Sequence, residues 1–289
     1  MPHDHSSRPA HLHSFTALVK REVLEHRGAM IYFPVIIAAT LIAIMFLASS
    51  SDFIHPMQIG TDFIEDDLLK ILAKFIMSIF SVFSLLACLI IPLMLVSSLY
   101  SERQDRSILF WKSMPVSDMQ TVLAKLLGLS IGSIAIANIL AIIVSLALIL
   151  RALIPMGQSD IFVPALMSFG QVLLVINSKF LLYLLYALPV YAWLLLASAL
   201  SSTSPLILGI AVPVAVGAII HYLLDWSYLK QFFMRLLGFW SIADYPSNPS
   251  NVNWAKFWHS FLEKDLWIGL LIALAFFFAA VLVRKNRSI

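Results

Sequence analysis

The sequence predicts an all-α integral membrane fold with six transmembrane helices. Three observations predict it: a composition too apolar for a water-soluble domain, apolar runs of spanning length, and a one-sided distribution of positive charge. Of the 289 residues, 61% are hydrophobic and 12% charged, where a soluble domain carries about 25% charged residues. The mean hydropathy is +0.92. Cys88 is the only cysteine and lies in an apolar run, so neither an intrachain disulfide nor a cysteine-built metal site is expected. The net charge of +3 says less than its placement.

A helix needs about 20 apolar residues to cross a bilayer. Six segments qualify, at 30–49, 75–99, 122–150, 180–200, 205–224 and 266–283. Lys70 and Lys74 could snorkel from an earlier start of the second. The stretch 161–200 is harder to read, because "NSK" (Asn177 to Lys179) interrupts its apolar run. Either two spans meet there, or 161–179 is an outer interfacial helix, or it is part of span 4.

Charge decides the count. With six spans and the N-terminus inside, the inner side holds Arg8, Lys20, Arg21, Arg27, Arg103, Arg106, Lys112, Lys125, Arg284, Lys285 and Arg287. Short cytoplasmic segments collect Lys and Arg in this way, and seven spans would send the closing "RKNR" outside. Both termini are therefore expected in the cytoplasm, in a cell (inner) membrane. The long polar lead before the first span argues against a cleaved secretory signal. Outer residues 51–67 carry Asp52, Asp62, Glu65, Asp66 and Asp67 and no Lys or Arg. Outer residues 226–261 include Trp226, Trp240, Trp254 and Trp258; such aromatics favour the headgroup level, as one or two short interfacial helices.

Residues 1–13 read as a flexible tail in which His3, His5, His11 and His13 lack companion metal ligands. Residues 14–28 read as an amphipathic interface helix, with Phe15, Leu18, Val19 and Val23 beside Lys20, Arg21, Glu22 and Arg27. The one sizeable inner loop, "SERQDRSILFWKSMPVSDMQT" (101–121), mixes charges with Ile108, Leu109, Phe110 and Trp111. A solvated connector would not normally expose four such residues. Ser101 with Gln104 suggests a capping box opening a short helix at Glu102; Pro115 would stop it, and Ser117 with Gln120 would cap the next span.

This loop resembles the cytoplasmic signature of ABC type 2 transport permeases, the membrane subunits of bacterial type V-like ABC exporters. The matching residues are Glu102–Arg103, Ile108–Leu109, Pro115–Val116–Ser117 and Lys125, and "LFWKSMPVSD" (109–118) matches one subgroup. The Gly-Thr that members often place before the Leu is Arg106–Ser107 here. The resemblance implies that 14–289 form one permease domain, with 101–116 as a coupling helix between spans two and three. It implies ATPase-coupling roles for Glu102, Arg103, Asp105, Arg106, Ile108, Leu109, Phe110, Trp111 and Pro115, with the charges meeting the ATPase or the N-terminal helix and the apolar residues anchored in the membrane domain or the ATPase groove.

No G-x-x-x-x-G-K-[ST] occurs in the chain, so the phosphate cradle of an ATPase is not expected on it. The resemblance implies two copies of a separate ABC ATPase subunit, which would bind ATP and Mg, and a second permease copy or a related permease. The chain itself would then be no enzyme and hold no cofactor, metal or nucleic acid. Its cargo would be amphipathic, lipid-like, a drug or a peptide, moved outward. The competing classes are a non-transporting scaffold or sensor and an ion-coupled secondary transporter, which usually places paired ionisable groups in mid-membrane.

Two further patterns stand out. Ser78, Ser81, Ser84 and Cys88 fall within about 120° of one helix face, a candidate translocation path or a packing seam. Gly128 and Gly132, and Gly209, Pro213 and Gly217, have the spacing of close helix packing, with a dimer interface or a flexing point at Pro213 as alternatives.

Overall fold

The computed structural model describes residues 8–47, 64–106, 108, 116–153, 159–223 and 254–286. Helix α1 spans Arg8–Glu25, a π-helical turn covers Gly28–Tyr32, and α2 spans Phe33–Leu47. There follow α3 (Ile64–Gln104), α4 (Asp118–Leu153), α5 (Ser159–Leu200), α6 (Pro205–Leu223), α7 (Trp254–Leu262) and α8 (Lys264–Asn286). Among the described residues, five stretches are long and apolar enough to cross a membrane: Gly28–Leu47, Leu69–Gln104, Asp118–Ala152, Val163–Leu200 and Lys264–Asn286. The nineteen-residue α6 is also apolar. Outward-facing Leu85, Leu89 and Leu93 on α3 and Leu271, Leu274 and Leu282 on α8 are the coat that lipid, rather than water, tolerates.

The polar break expected at Asn177–Lys179 does not occur. Helix α5 runs unbroken for 42 residues, about 63 Å, so 161–179 belong to the same helix as span 4. Asn177 Nδ2 donates to the Leu173 carbonyl at 2.9 Å and Ser178 Oγ to that of Val175 at 2.8 Å. Each polar side chain is satisfied on its own helix, so neither has to end it. Helix α1 likewise begins at Arg8, before the expected residue 14. The aromatic segment's first part and most of the 107–115 connector lie outside the described residues.

Cross-helix contacts fix the register. Cys88 meets Tyr183, and the Leu99 amide meets Ser198, so α3 and α5 run parallel. Tyr186 donates to Glu263 Oε2 at 3.0 Å, Gly269 faces Pro189, and Trp193 stacks edge-on against Phe276, so α8 runs parallel to both. Helix α4 is antiparallel, with Lys125 beside Glu102. Because α8 is only 23 residues long, about 34 Å, α3 and α5 continue well past its first turn. There they pack through Leu72, Ala73, Ile76 and Phe80 on α3 and Ala165, Phe169, Val172 and Ile176 on α5.

The Gly128–Gly132 pair packs closely, and its partner is the chain's own N-terminal region. A Cβ on Gly128 would meet Val19 Cγ1 at 3.5 Å, and one on Gly132 would meet Met30 Cε at 2.9 Å and Val23 Cγ2 at 3.4 Å. These glycines seat α1 and the π turn on α4. Gly209 likewise admits Leu194 and Val96, whereas Gly217 has open space around it.

Gly132→Leu should therefore displace α1 and destabilise the protein by about 1–3 kcal/mol. Gly217→Leu should leave stability unchanged or higher. Thermal midpoints in detergent test the contrast, and equal midpoints for the two variants would contradict the seat.

Candidate functional site

Seven of the described charged side chains converge where α1, α3, α4 and α8 meet. Glu102, in the last turn of α3, is 2% exposed. Its Oε1 lies 3.0 Å from Arg21 Nη2 and 3.1 Å from Lys125 Nζ, and its Oε2 lies 3.3 Å from Arg284 Nη1. Each cation has a further carboxylate. Lys125, fully buried, sits 2.9 Å from Glu22 Oε2; Arg284 Nε donates to Asp118 Oδ1 at 3.0 Å; Arg21 reaches Glu25 at 3.2 Å. An ammonium with no exposure could not stay charged without such partners. Three cations and four carboxylates thus form one nearly neutral ionic junction.

Arg103 acts on the other side of the same turn. Successive residues of a helix point about 100° apart, so Glu102 faces the junction and Arg103 faces α5. The Arg103 guanidinium donates to the Ser198 and Ser201 carbonyls, the latter at 2.8 Å. These are carbonyls that the end of α5 leaves without intrahelical partners, and a cation there also suits the helix dipole. Ser198 Oγ accepts the amides of Leu99 and Tyr100, both at 3.0 Å, and Tyr100 Oη donates to the Thr203 carbonyl at 2.9 Å. The Glu-Arg pair therefore ties α3 to α1, α4, α8 and α5 at one level.

The connector leaves and re-enters through defined caps. No helix starts at Glu102: Ser101 lies in the final turn of α3, and its hydroxyl donates to the Ser98 carbonyl at 3.2 Å instead of capping Gln104. The expected capping box fails because α3 must continue through residues 102 and 103 to aim both at their partners. The Asp105 amide bonds to the Ser101 carbonyl and the Arg106 amide to that of Arg103, and Arg106 then turns to φ 55°. A left-handed residue closing a helix is usually glycine; with a side chain it costs about 1 kcal/mol. At the far end the second capping box forms as expected. The Gln120 amide donates to Ser117 Oγ at 3.2 Å, and Gln120 Oε1 accepts the Ser117 amide at 3.4 Å, immediately before α4.

Of the candidate coupling residues, Glu102 and Arg103 are committed to the bundle, Asp105 and Arg106 are exposed, and Ile108 is buried, lining a small cavity with Leu99, Glu102, Ala199, Val283 and Arg284. Leu109, Phe110, Trp111 and Pro115 lie outside the described residues. Beside the connector, a cleft of about 260 Å³ is lined by Tyr100, Arg103, Gln104, Arg106, Ile108, Ser201 and Ser202.

The serine stripe divides along α3. Ser78 Oγ donates to the Lys74 carbonyl and Ser81 Oγ to that of Met77. Ser84 is buried without a hydrogen-bond partner. Cys88 Sγ lies 2.8 Å from Tyr183 Oη, which accepts from Tyr191 Oη at 3.3 Å. Cys88 is thus engaged in the α3–α5 seam. Among the described residues, no three His, Cys, Asp or Glu side chains cluster as metal ligands.

Sequence reading did not name Glu22, Asp118 or Ser198 as members of this site. A signal for Asp118 existed: a carboxylate at the end of an apolar helix needs a cation, and Arg284 stands at a comparable end. The chain matches no protein-family model, no curated protein and no solved structure. By its fold it is a multi-pass, all-helical integral membrane protein.

Removing the shared carboxylate leaves Lys125 and Arg284 each one partner short. Glu102→Ala should cost about 3–5 kcal/mol and lower the yield and thermal midpoint of the purified protein, while Asp105→Ala leaves both unchanged. A Glu102→Ala midpoint equal to that of the native chain would contradict the junction.

Proposed function

We propose that this chain is the membrane subunit of an ATP-driven exporter of the ABC type 2 permease kind. A separate ABC ATPase would dock on the connector between α3 and α4. One observation carries the reading: the connector is fastened at both ends to the same ionic junction. Glu102 and Arg103 stand at its start, and Asp118, bonded to Arg284, stands at its end. A displacement of the connector would then pass to α1, α3, α4, α5 and α8 together instead of dissipating in a loose loop.

On this reading α6 is the fifth of six crossings, both termini are cytoplasmic, and the chain lies in the inner membrane. Two copies of it, or one copy with a related permease, pair with two ATPase subunits. ATP-driven closure of those subunits would move the paired connectors and change access to a path between the permeases. The carriers of contact with the ATPase are the exposed Asp105 and Arg106 and the apolar Leu109, Phe110 and Trp111. Glu102 and Arg103 position the connector from within. The apolar composition of the helices favours amphipathic or lipid-like cargo.

The test is gentle purification of the tagged chain from its native membranes, with identification of what remains bound. A near-stoichiometric ABC ATPase is expected, and Trp111→Ala should deplete it by about tenfold without lowering the yield of the permease. Glu102 variants are unsuitable probes because that carboxylate holds the fold. Absence of any ATPase across several mild detergents would overturn the assignment in favour of a membrane scaffold. A reporter fused after Ile289 should read as cytoplasmic, and an external signal would overturn the six-span count.

A further inference from the structure

Two hollows share a wall at the start of the connector. The outer one is the cleft of about 260 Å³ that Tyr100, Gln104, Ser201 and Ser202 line. The inner one, of about 10 Å³, is lined by Leu99, Glu102, Ala199, Val283 and Arg284. Arg103 and Ile108 line both, and so stand between them. These two residues are held differently. Arg103 is tied to the Ser198 and Ser201 carbonyls and cannot move without α5. Ile108 is 5% exposed, is held by packing alone, and belongs to the connector. It is the part of the wall that a displaced connector would carry away.

The inner cavity ends on the ionic junction. Its lining includes Glu102 and Arg284, both buried, whose 3.3 Å ion pair joins α3 to α8. Arg284 Nη1 is buried and pairs with Glu102 Oε2 without making a hydrogen bond. A volume of this size has room for about one water molecule, and such a water would accept from that nitrogen. An ion pair shut away from bulk water feels a low dielectric and little salt. The same pair opened to solvent is weak and screened.

We infer that the inner cavity is a one-water site and that Ile108 is its stopper. Seated, Ile108 limits the solvent at this corner to a single water molecule on Arg284 Nη1. Withdrawn, it joins the cavity to the open cleft, and the tie between α3 and α8 becomes a solvated one. The seat of one aliphatic side chain thereby sets how firmly α8 is held. None of this requires an ATPase: any event that draws the connector outward would loosen α8.

The test compares Ile108→Ala with Ile176→Ala, an equal truncation in the buried α3–α5 packing away from the junction. Thermal midpoints of the purified chain are read between about 0.01 and 1 M sodium chloride, over which the screening length falls from about 30 to 3 Å. Both variants should melt below the native chain, since each loses buried apolar atoms. Only Ile108→Ala should lose about a further 3 °C as salt rises; Ile176→Ala should follow the native salt response. Spin labels at Gln104→Cys and Lys285→Cys, both exposed sites, in a Cys88→Ser background read the α3–α8 separation. The distance distribution should stay narrow for the native chain and Ile176→Ala, and broaden for Ile108→Ala at high salt. A salt response of Ile108→Ala equal to that of Ile176→Ala, or a distribution that stays narrow, overturns the stopper. If Ile108→Ala yields no folded protein, Ile108→Val against Ile176→Val carries the same comparison with a smaller shift.

Discussion

One carboxylate organises the charged end of this bundle. Glu102 is buried within 3.3 Å of three cations, one each from α1, α4 and α8. A buried ion pair is weak evidence of stability in general, since desolvation offsets much of the attraction. Its larger consequence here is geometric. Lys125 is fully buried and has two carboxylates within reach, so α4 cannot slide along α3 without stranding a charge. The same applies to α1 through Arg21 and to α8 through Arg284. Apolar helices in lipid lack a strong hydrophobic drive to associate, and polar ties of this kind give the bundle its register.

The neighbouring Arg103 extends that constraint to α5 by filling its open carbonyls. Two adjacent residues pointing in different directions thus fix α3 against four other helices. Deeper in the bundle the cohesion changes character. There α3 and α5 meet through Cys88, Tyr183 and Tyr191 and through apolar packing that continues past the level where α8 begins. The N-terminal region is held twice, by Glu22 on Lys125 and by Val19, Val23 and Met30 over Gly128 and Gly132. The described residues on either side of the connector, Glu102 and Asp118, are both held at this end, which is the ground for the proposed reading of it as a lever.

Much of the fold was legible in the sequence because spanning helices follow from apolar length alone, and α2, α4 and α8 begin and end near the expected residues. The Ser117–Gln120 cap was legible for a local reason: its two partners lie three residues apart. The Ser101–Gln104 cap had the same local pattern and failed, since long-range partners on four helices hold α3 in register through Arg103. Asn177 to Lys179 misled because a polar triplet can satisfy itself on its own helix, as Asn177 and Ser178 do. The Glu-Arg pair was read as meeting either an ATPase or the N-terminal helix; Glu102 does meet Arg21 of that helix, and its further partners and those of Arg103 were not foreseen. Pairings such as Glu102 with Lys125 and Arg284 depend on how helices pack, which no single segment encodes. The small-residue pattern at Gly128–Gly132 announced a close neighbour but could not say which helix it was.

The central claim is that the Glu102 junction holds α1 and the end of α3 in one arrangement. Spin labels at Lys20→Cys and Gln104→Cys, in a Cys88→Ser background, read this directly, because both sites are exposed and flank the junction. Pulsed electron resonance on the purified protein in lipid nanodiscs should give one narrow distance distribution. The same pair with Glu102→Ala should give a broad one. A broad or two-peaked distribution with Glu102 intact would show that α1 is not held by this carboxylate, and would contradict the account.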